Sequence, residues 1–171
     1  DADKRHIIFL EGNFWGQRIN FMGKPADGNT AFSIHAYPPL DHVFNWETDL
    51  KYPGRVYKLM WNKKKLEFFA GRYKNFIDDA NVPLYVGEFG VNWRGGSFGE
   101  ARWAKDCLDV FKKYGFHWSY WTYKTVCNSV FPDGIFRYTK NPAWVNRQGP
   151  VSGWEPSLWR SVYGEFACRL L

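Results

Sequence analysis

Apolar residues along this chain fall into two alternating patterns: short unbroken runs and longer stretches at helical spacing. Residues 6–12 (HIIFLEG), 31–37 (AFSIHAY), 82–89 (VPLYVGEF) and 116–123 (FHWSYWTY) are short, rich in β-branched and aromatic residues, and predict four strands. Pro38-Pro39 stops the second, because proline cannot donate to a ladder. Residues 55–79 carry Val56, Leu59, Met60, Leu66, Phe69 and Phe76 at helical spacing and predict an amphipathic helix interrupted near Gly71. Residues 97–114 predict another, with Trp103, Cys107, Leu108 and Phe111 on one face and Gly115 as its stop. Residues 14–30 are polar and Gly-rich and predict a loop. Residues 124–153, with Pro132-Asp133-Gly134 and Asn141-Pro142, predict a long one. Residues 155–171 predict a closing helix with Pro156 in its first turn.

Strands apolar on both faces and mostly separated by helices describe a parallel sheet covered on both sides, an α/β fold. The polar and aromatic residues with chemical potential recur at the carboxyl ends of those strands: Asn13, then His35 and Tyr37, then Glu88, then Trp121 and Tyr123. Parallel α/β sheets and (β/α) barrels build their ligand sites at that edge. Glu88 stands out, since a carboxylate inside an apolar run is costly to bury without a partner. It is either a catalytic carboxylate at a strand mouth or half of a structural ion pair. Glu11 and Asn13 are open in the same way, as site residues or as ligands of neighbouring backbone amides. His35 and Trp121 each have a core-packing alternative.

The 171 residues suit one domain spanning 1–171, and no apolar run is long enough to cross a membrane. The chain lacks an initiating Met and a signal-peptide pattern, so a processed, trimmed or partial product is expected. Cys107, Cys127 and Cys168 allow at most one disulfide, and neither they nor the four histidines show metal-ligand spacing, so no metal is expected. The net charge of +6 permits nucleic-acid binding without arguing for it, and Lys63-Lys64-Lys65 reads as a solvated helix face. The 10 Trp, 10 Tyr and 15 Phe change the picture more, because many lie in loops, where exposed rings stack on flat partners such as sugars.

Taken together, these motifs resemble glycoside hydrolase family 5, the retaining (β/α)8-barrel family that includes cellulases and mannanases. HIIFLEGN (6–13), SIHAYPP (33–39), VPLYVGEFG (82–90) and HWSYWTYK (117–124) resemble its fifth to eighth strands in order and spacing. The resemblance implies that Glu88 is the nucleophile. It implies that His35 and Tyr37 hydrogen-bond within the central sugar subsite, that Trp121 is a stacking platform, and that Trp15 offers a further one. Lys124 and Asn128 can reach a substrate hydroxyl, although such loop residues are usually just solvated, and Trp144 and Trp154 can line a cleft or cover the barrel end.

The family also carries an Asn-Glu-Pro at its fourth strand, whose Glu is the general acid/base. This sequence has none, and Trp154-Glu155-Pro156 lies after the last matched strand. A full barrel takes roughly 250 residues, so the resemblance implies a (β/α)4 half barrel. Its open edges and apolar face favour a homodimer that completes eight strands. The expected activity is endo-β-1,4-glucanase-type hydrolysis, weak or altered because the usual acid is missing, with glucan, mannan and xylan all open as substrates. A domain that binds β-glucan without turnover is the alternative class. No cofactor is expected, since two carboxylates suffice. No nucleic-acid or membrane partner is expected, and a polymeric substrate suggests secretion.

Overall fold

The computed structural model describes residues 4–47, 49–94 and 96–122, together with the backbone of 124–126, 136–138 and 154–156. In chain order the elements are strands β1 (Ile8–Glu11) and β2 (Thr30–His35), short helix α1 (Leu40–Val43), strands β3 (Gly54–Val56) and β4 (Leu59–Trp61), and helix α2 (Lys63–Ala80). They continue with β5 (Leu84–Phe89), helix α3 (Glu100–Tyr114), β6 (His117–Tyr120), β7 (Lys124–Val126), β8 (Phe136–Tyr138) and β9 (Trp154–Pro156).

All four expected strands form, and they pair in parallel in the order β1-β2-β5-β6. Parallel neighbours need crossovers, which α2 and α3 supply from β2 to β5 and from β5 to β6, while the non-helical segment 12–29 joins β1 to β2. Asn62 starts α2 by accepting the Lys65 amide on its side chain, and Asn81 in the left-handed region ends it. The two helices lie side by side, with the Tyr114 hydroxyl donating to the Glu67 carbonyl and Lys63 paired with Asp109. Their inner faces (Leu66, Ala70, Ile77, Trp103, Cys107, Phe111) bury Phe32, Ile34, Leu84, Val86 and Phe89 of the sheet.

Five expectations need correction. The sheet is covered on one face only among the described residues: Phe9, on the other face, is 53% exposed and meets the Tyr85 ring at 5.2 Å across β2. The helix expected over 55–79 begins at Lys63, because residues 54–61 form the β3–β4 hairpin. Val56 and Leu59 fit either period, and Pro53 at one end and the Asn62 cap at the other decide between them. No break occurs at Gly71, where the missing side chain leaves room for the Tyr114 hydroxyl. The expected loop at 124–153 contains β7 and β8, and Trp154–Pro156 is a strand on the edge of that three-stranded sheet, an edge being where proline is tolerated. The remainder of the expected closing helix, 157–171, lies outside the described residues.

α1 and the turn after it are anchored from beneath by His42, which is fully buried. Arg94 Nη2 lies 2.9 Å from His42 Nδ1, so that nitrogen accepts, and Nε2 has no partner among the described residues. Burial first, then the Arg94 charge, lower the His42 pKa to about 4 from its ordinary 6.5. The unfolded chain therefore binds a proton that the folded chain refuses between those two values. His42 stabilises the fold fully above pH 6.5, and that contribution is lost as pH falls toward 4. The loss is about 3 kcal/mol at its limit. Urea midpoints measured from pH 7 to pH 4 should fall more steeply in the parent than in His42→Gln. Parallel curves would remove His42 as the cause.

Candidate active site

The position of Glu88 depends on one extra residue in β5. Ile34 pairs with Val86 and His35 pairs with Glu88, so β5 spends two residues where β2 spends one. Against β6 the same slip appears, between the pairs Val86–Trp118 and Phe89–Tyr120. Strict alternation would send Glu88 after Leu84 and Val86 into the core beneath the helices. The bulge instead gives that core position to Phe89, which is fully buried against Trp118, Tyr120 and Phe111, and turns Glu88 to the open face. Gly87 permits this, since a Cβ there would stand 2.8 Å from Ser33 Oγ. The Ser119 hydroxyl holds the bulge by donating to the Gly87 carbonyl at 2.5 Å.

On that face Glu88 meets a phenol and an imidazole. Tyr37 Oη donates to Glu88 Oε2 at 2.7 Å, and His35 Nδ1 lies 3.3 Å from the same oxygen. His35 Nε2 lies 3.1 Å from Glu11 Oε1, so one imidazole stands between two carboxylates on the strands that flank its own. Burial, then the hydrogen bond and charge of Glu88, push the Tyr37 phenol well above its ordinary pKa, which keeps it a donor at any working pH. Glu88 Oε1 has no such partner among the described residues. Its side chain is 24% exposed, so this oxygen is reachable. No group of His, Cys, Asp or Glu among the described residues is arranged to hold a metal ion.

The other sequence candidates are placed as follows. The Trp121 amide donates to the Phe89 carbonyl, which sets that residue just past β6 beside the Glu88 strand end, and its ring is 44% exposed. Trp15 is 79% exposed in a turn closed by paired backbone bonds between Asn13 and Arg18. It lines a different feature, a cavity of about 780 Å³ between that turn and α2, with Phe14, Arg18, Phe69, Tyr73 and Phe76. Asn13 is exposed and contributes its backbone to the turn. Tyr123, Asn128 and Trp144 lie outside the described residues, and for Lys124 and Trp154 only the backbone is described.

One residue that sequence reasoning passed over belongs beside the site. Trp46 is 58% exposed and stacks on Phe44 at 5.3 Å and 21°, while Phe44 packs on Tyr37 at 5.2 Å. The turn that carries it is pinned by Asn92 donating to the Phe44 carbonyl and Arg94 donating to Asn45. The paired aromatics of Phe44-Asn45-Trp46, a few residues past the strand-end His-x-Tyr, were the available signal.

Against known proteins, the family model described as Cellulase (glycosyl hydrolase family 5) matches residues 1–125. The chain belongs to glycosyl hydrolase family 5. A β-xylosidase of Phanerodontia chrysosporium is 26% identical over 136 residues, which is 72% of this chain and 27% of that protein. The solved structure of the endoglucanase Cel5A from Thermotoga maritima aligns with a TM-score of 0.61 at 21% identity, over 78% of this chain and 44% of its own. A broad-specificity endoglucanase from Clostridium longisporum aligns with a TM-score of 0.51 at 21% identity, over 66% of this chain and 31% of its own. The parallel α/β sheet thus resembles part of a family 5 barrel, and the chain spans less than half the length of these relatives.

Proposed function

We propose that this chain supplies the nucleophile side of a retaining glycosidase site acting on β-linked polysaccharide, with β-1,4-glucan as the preferred substrate. The observation that carries the reading is Glu88, with Oε2 held by Tyr37 and His35 and Oε1 left to meet a sugar. In such a reaction the carboxylate attacks the anomeric carbon while a second carboxyl protonates the departing oxygen. Water, activated by that second group, then releases the sugar from the first. Trp121 and Trp46 serve as platforms for pyranose rings, because their exposed faces flank the Glu88 strand end.

Glu11 stands across the His35 ring from Glu88, and the sequence has no Asn-Glu-Pro. We take residues 1–171 as one half-barrel domain completed by a second copy. This is supported by the unpaired outer edge of β1 among the described strands and by the exposure of Ile7, Ile8 and Phe9. The exposed rings of Trp121 and Trp46 also fit a second reading, a β-glucan-binding domain without turnover. Either form works on a polymer that cannot enter a cell, which places it outside the cell, and neither calls for a cofactor.

Native mass, reducing-sugar release and retention in β-glucan affinity gels, measured on one sample, test this. A dimer that releases sugar supports the glycosidase. Retention without release leaves the binding domain, and neither retention nor release removes both. Trp46→Ala should weaken retention about tenfold, or ~1.4 kcal/mol, without changing native mass.

A further inference from the structure

We infer that the cavity between the 13–18 turn and α2 is a second carbohydrate site, apart from Glu88, that takes an acidic sugar: a hexuronate stacked on aromatic rings, with its carboxylate held by Arg18 and Arg72. The cavity measures about 780 Å³, inside the span of roughly 300–1,000 Å³ usual for small-molecule pockets. Its lining combines two kinds of group. Phe14, Trp15, Phe69, Tyr73 and Phe76 bring rings, and Arg18 and Arg72 are its only charged residues. Neither arginine has a carboxylate partner among the described residues. A guanidinium matches a carboxylate through two parallel hydrogen bonds, and the flat face of a pyranose packs on an aromatic face. A sugar that carries a carboxylate meets both.

Local sequence explains the two walls. On α2, Phe69, Arg72, Tyr73 and Phe76 follow i, i+3, i+4, i+7 spacing and form one stripe along the cavity. Tyr73 ties the walls together, its hydroxyl donating to the Gln17 carbonyl at 2.7 Å. Asn13 and Arg18 close the opposite wall by exchanging backbone hydrogen bonds, each of 3.1 Å. At the tip of that turn Phe14 and Trp15 stand at φ +55° and +52°. This left-handed region suits glycine or asparagine, and bulky side chains there strain the backbone. Both rings are exposed, Phe14 at 59% and Trp15 at 79%, so burial does not offset the strain. Strain of this kind clusters at ligand sites. The Arg18 guanidinium lies 4.7 Å over the Phe14 ring, which steadies its charge at the rim.

The same turn separates the cavity from Glu88. Gly16 lies against Glu11 and His35, where a Cβ would stand 3.1 Å from the Glu11 carboxylate and 3.0 Å from the His35 amide. Trp15 and Arg18, its near neighbours, line the cavity, and Glu88 does not. The inference therefore goes beyond the function proposed above and needs no turnover. A chain that cleaves nothing would still prefer a charged glycan to a neutral one here.

Calorimetric titration of the full chain with cellobiouronic acid and with cellobiose tests this, because the pair differ only by a carboxylate in place of a hydroxymethyl group. At low salt the acid should bind about tenfold more tightly, as expected for hydrogen bonds to a charged group, and added salt should narrow the difference. Arg72 is exposed on α2, where Gln is a good helix former. Arg72→Gln should therefore abolish the preference with an unchanged circular dichroism spectrum, and Arg18→Gln should do the same. Trp46→Ala, beside Glu88, should keep it. Equal affinities in the parent would overturn the inference, as would a preference that survives both arginine substitutions. A preference lost in Trp46→Ala would also overturn it, by moving the acidic sugar to the Glu88 site. Ferulate, an aromatic carboxylate without a pyranose ring, binding as tightly as cellobiouronic acid would overturn the choice of a sugar.

Discussion

Replacing Glu88 by Gln is expected to reduce β-glucan hydrolysis at least ~10³-fold, a barrier increase of about 4 kcal/mol. The substitution is close to isosteric, and the amide oxygen can still accept from Tyr37, so the bulge and the core position of Phe89 are left in place. On the proposed glycosidase reading, what is lost is the charged oxygen that forms the glycosyl bond. Retention on β-glucan gels should therefore change little while reducing-sugar release falls to background. Tyr37→Phe provides the graded comparison. It removes one hydrogen bond to an ionised group, worth about 1.5–3 kcal/mol, and should cost roughly 10- to 100-fold while leaving the nucleophile. Equal losses in the two variants would point to a shared structural failure. Appreciable turnover by Glu88→Gln would end the nucleophile assignment.

Trp103→Ala should destabilise the chain by about 3–5 kcal/mol, enough to lower the melting temperature on the order of 10 °C. Trp103 is fully buried on α3 and packs on Phe89, the residue that takes the core position opposite Glu88. Its indole N–H donates to the Pro38 carbonyl at 2.8 Å, which ties the helix to the turn that follows His35 and Tyr37. Removing the ring leaves a large cavity and a buried carbonyl without its donor. Trp103→Phe keeps most of the volume and loses only the bond, so about 1–3 kcal/mol is expected. Thermal unfolding of the three proteins followed by circular dichroism measures both steps. A Phe variant as unstable as the Ala variant would shift the weight from packing to the hydrogen bond.

Much of the sheet could be read from residue order. The four apolar runs, their Pro and Gly boundaries and the amphipathic face of 97–114 are local features, and local features state strand or helix without reference to the rest of the chain. The concentration of His35, Tyr37, Glu88 and Trp121 at strand ends was legible for the same reason, as was the Gly-Glu-Phe-Gly motif that carries the family resemblance. The hairpin over 54–61 was not, because Val56, Leu59 and Met60 satisfy both periods and only the Asn62 cap and the pairing of Gly54 with Trp61 separate them. The strands at 124–126, 136–138 and 154–156 are three residues each, too short for any period to show.

The chemistry of the site belongs to the second kind of information. Nothing in VPLYVGEFG states that β5 slips one residue at Gly87; the slip exists because β2 and β6 flank it with Ser33 and Ser119 at that height. Without it the alternation that made the run recognisable would bury Glu88 under the helices. Nor can residues 11, 35 and 88 announce one shared imidazole, since their contact is made by register between three strands. The stacking of Trp46 through Phe44 onto Tyr37 is decided likewise, by Asn92 and Arg94 reaching back across the fold. Residue order set which groups stand at the strand ends, because burial and backbone propensity act over a few residues. Long-range pairing set which of them touch, because a hydrogen bond between strands has no trace in either strand alone.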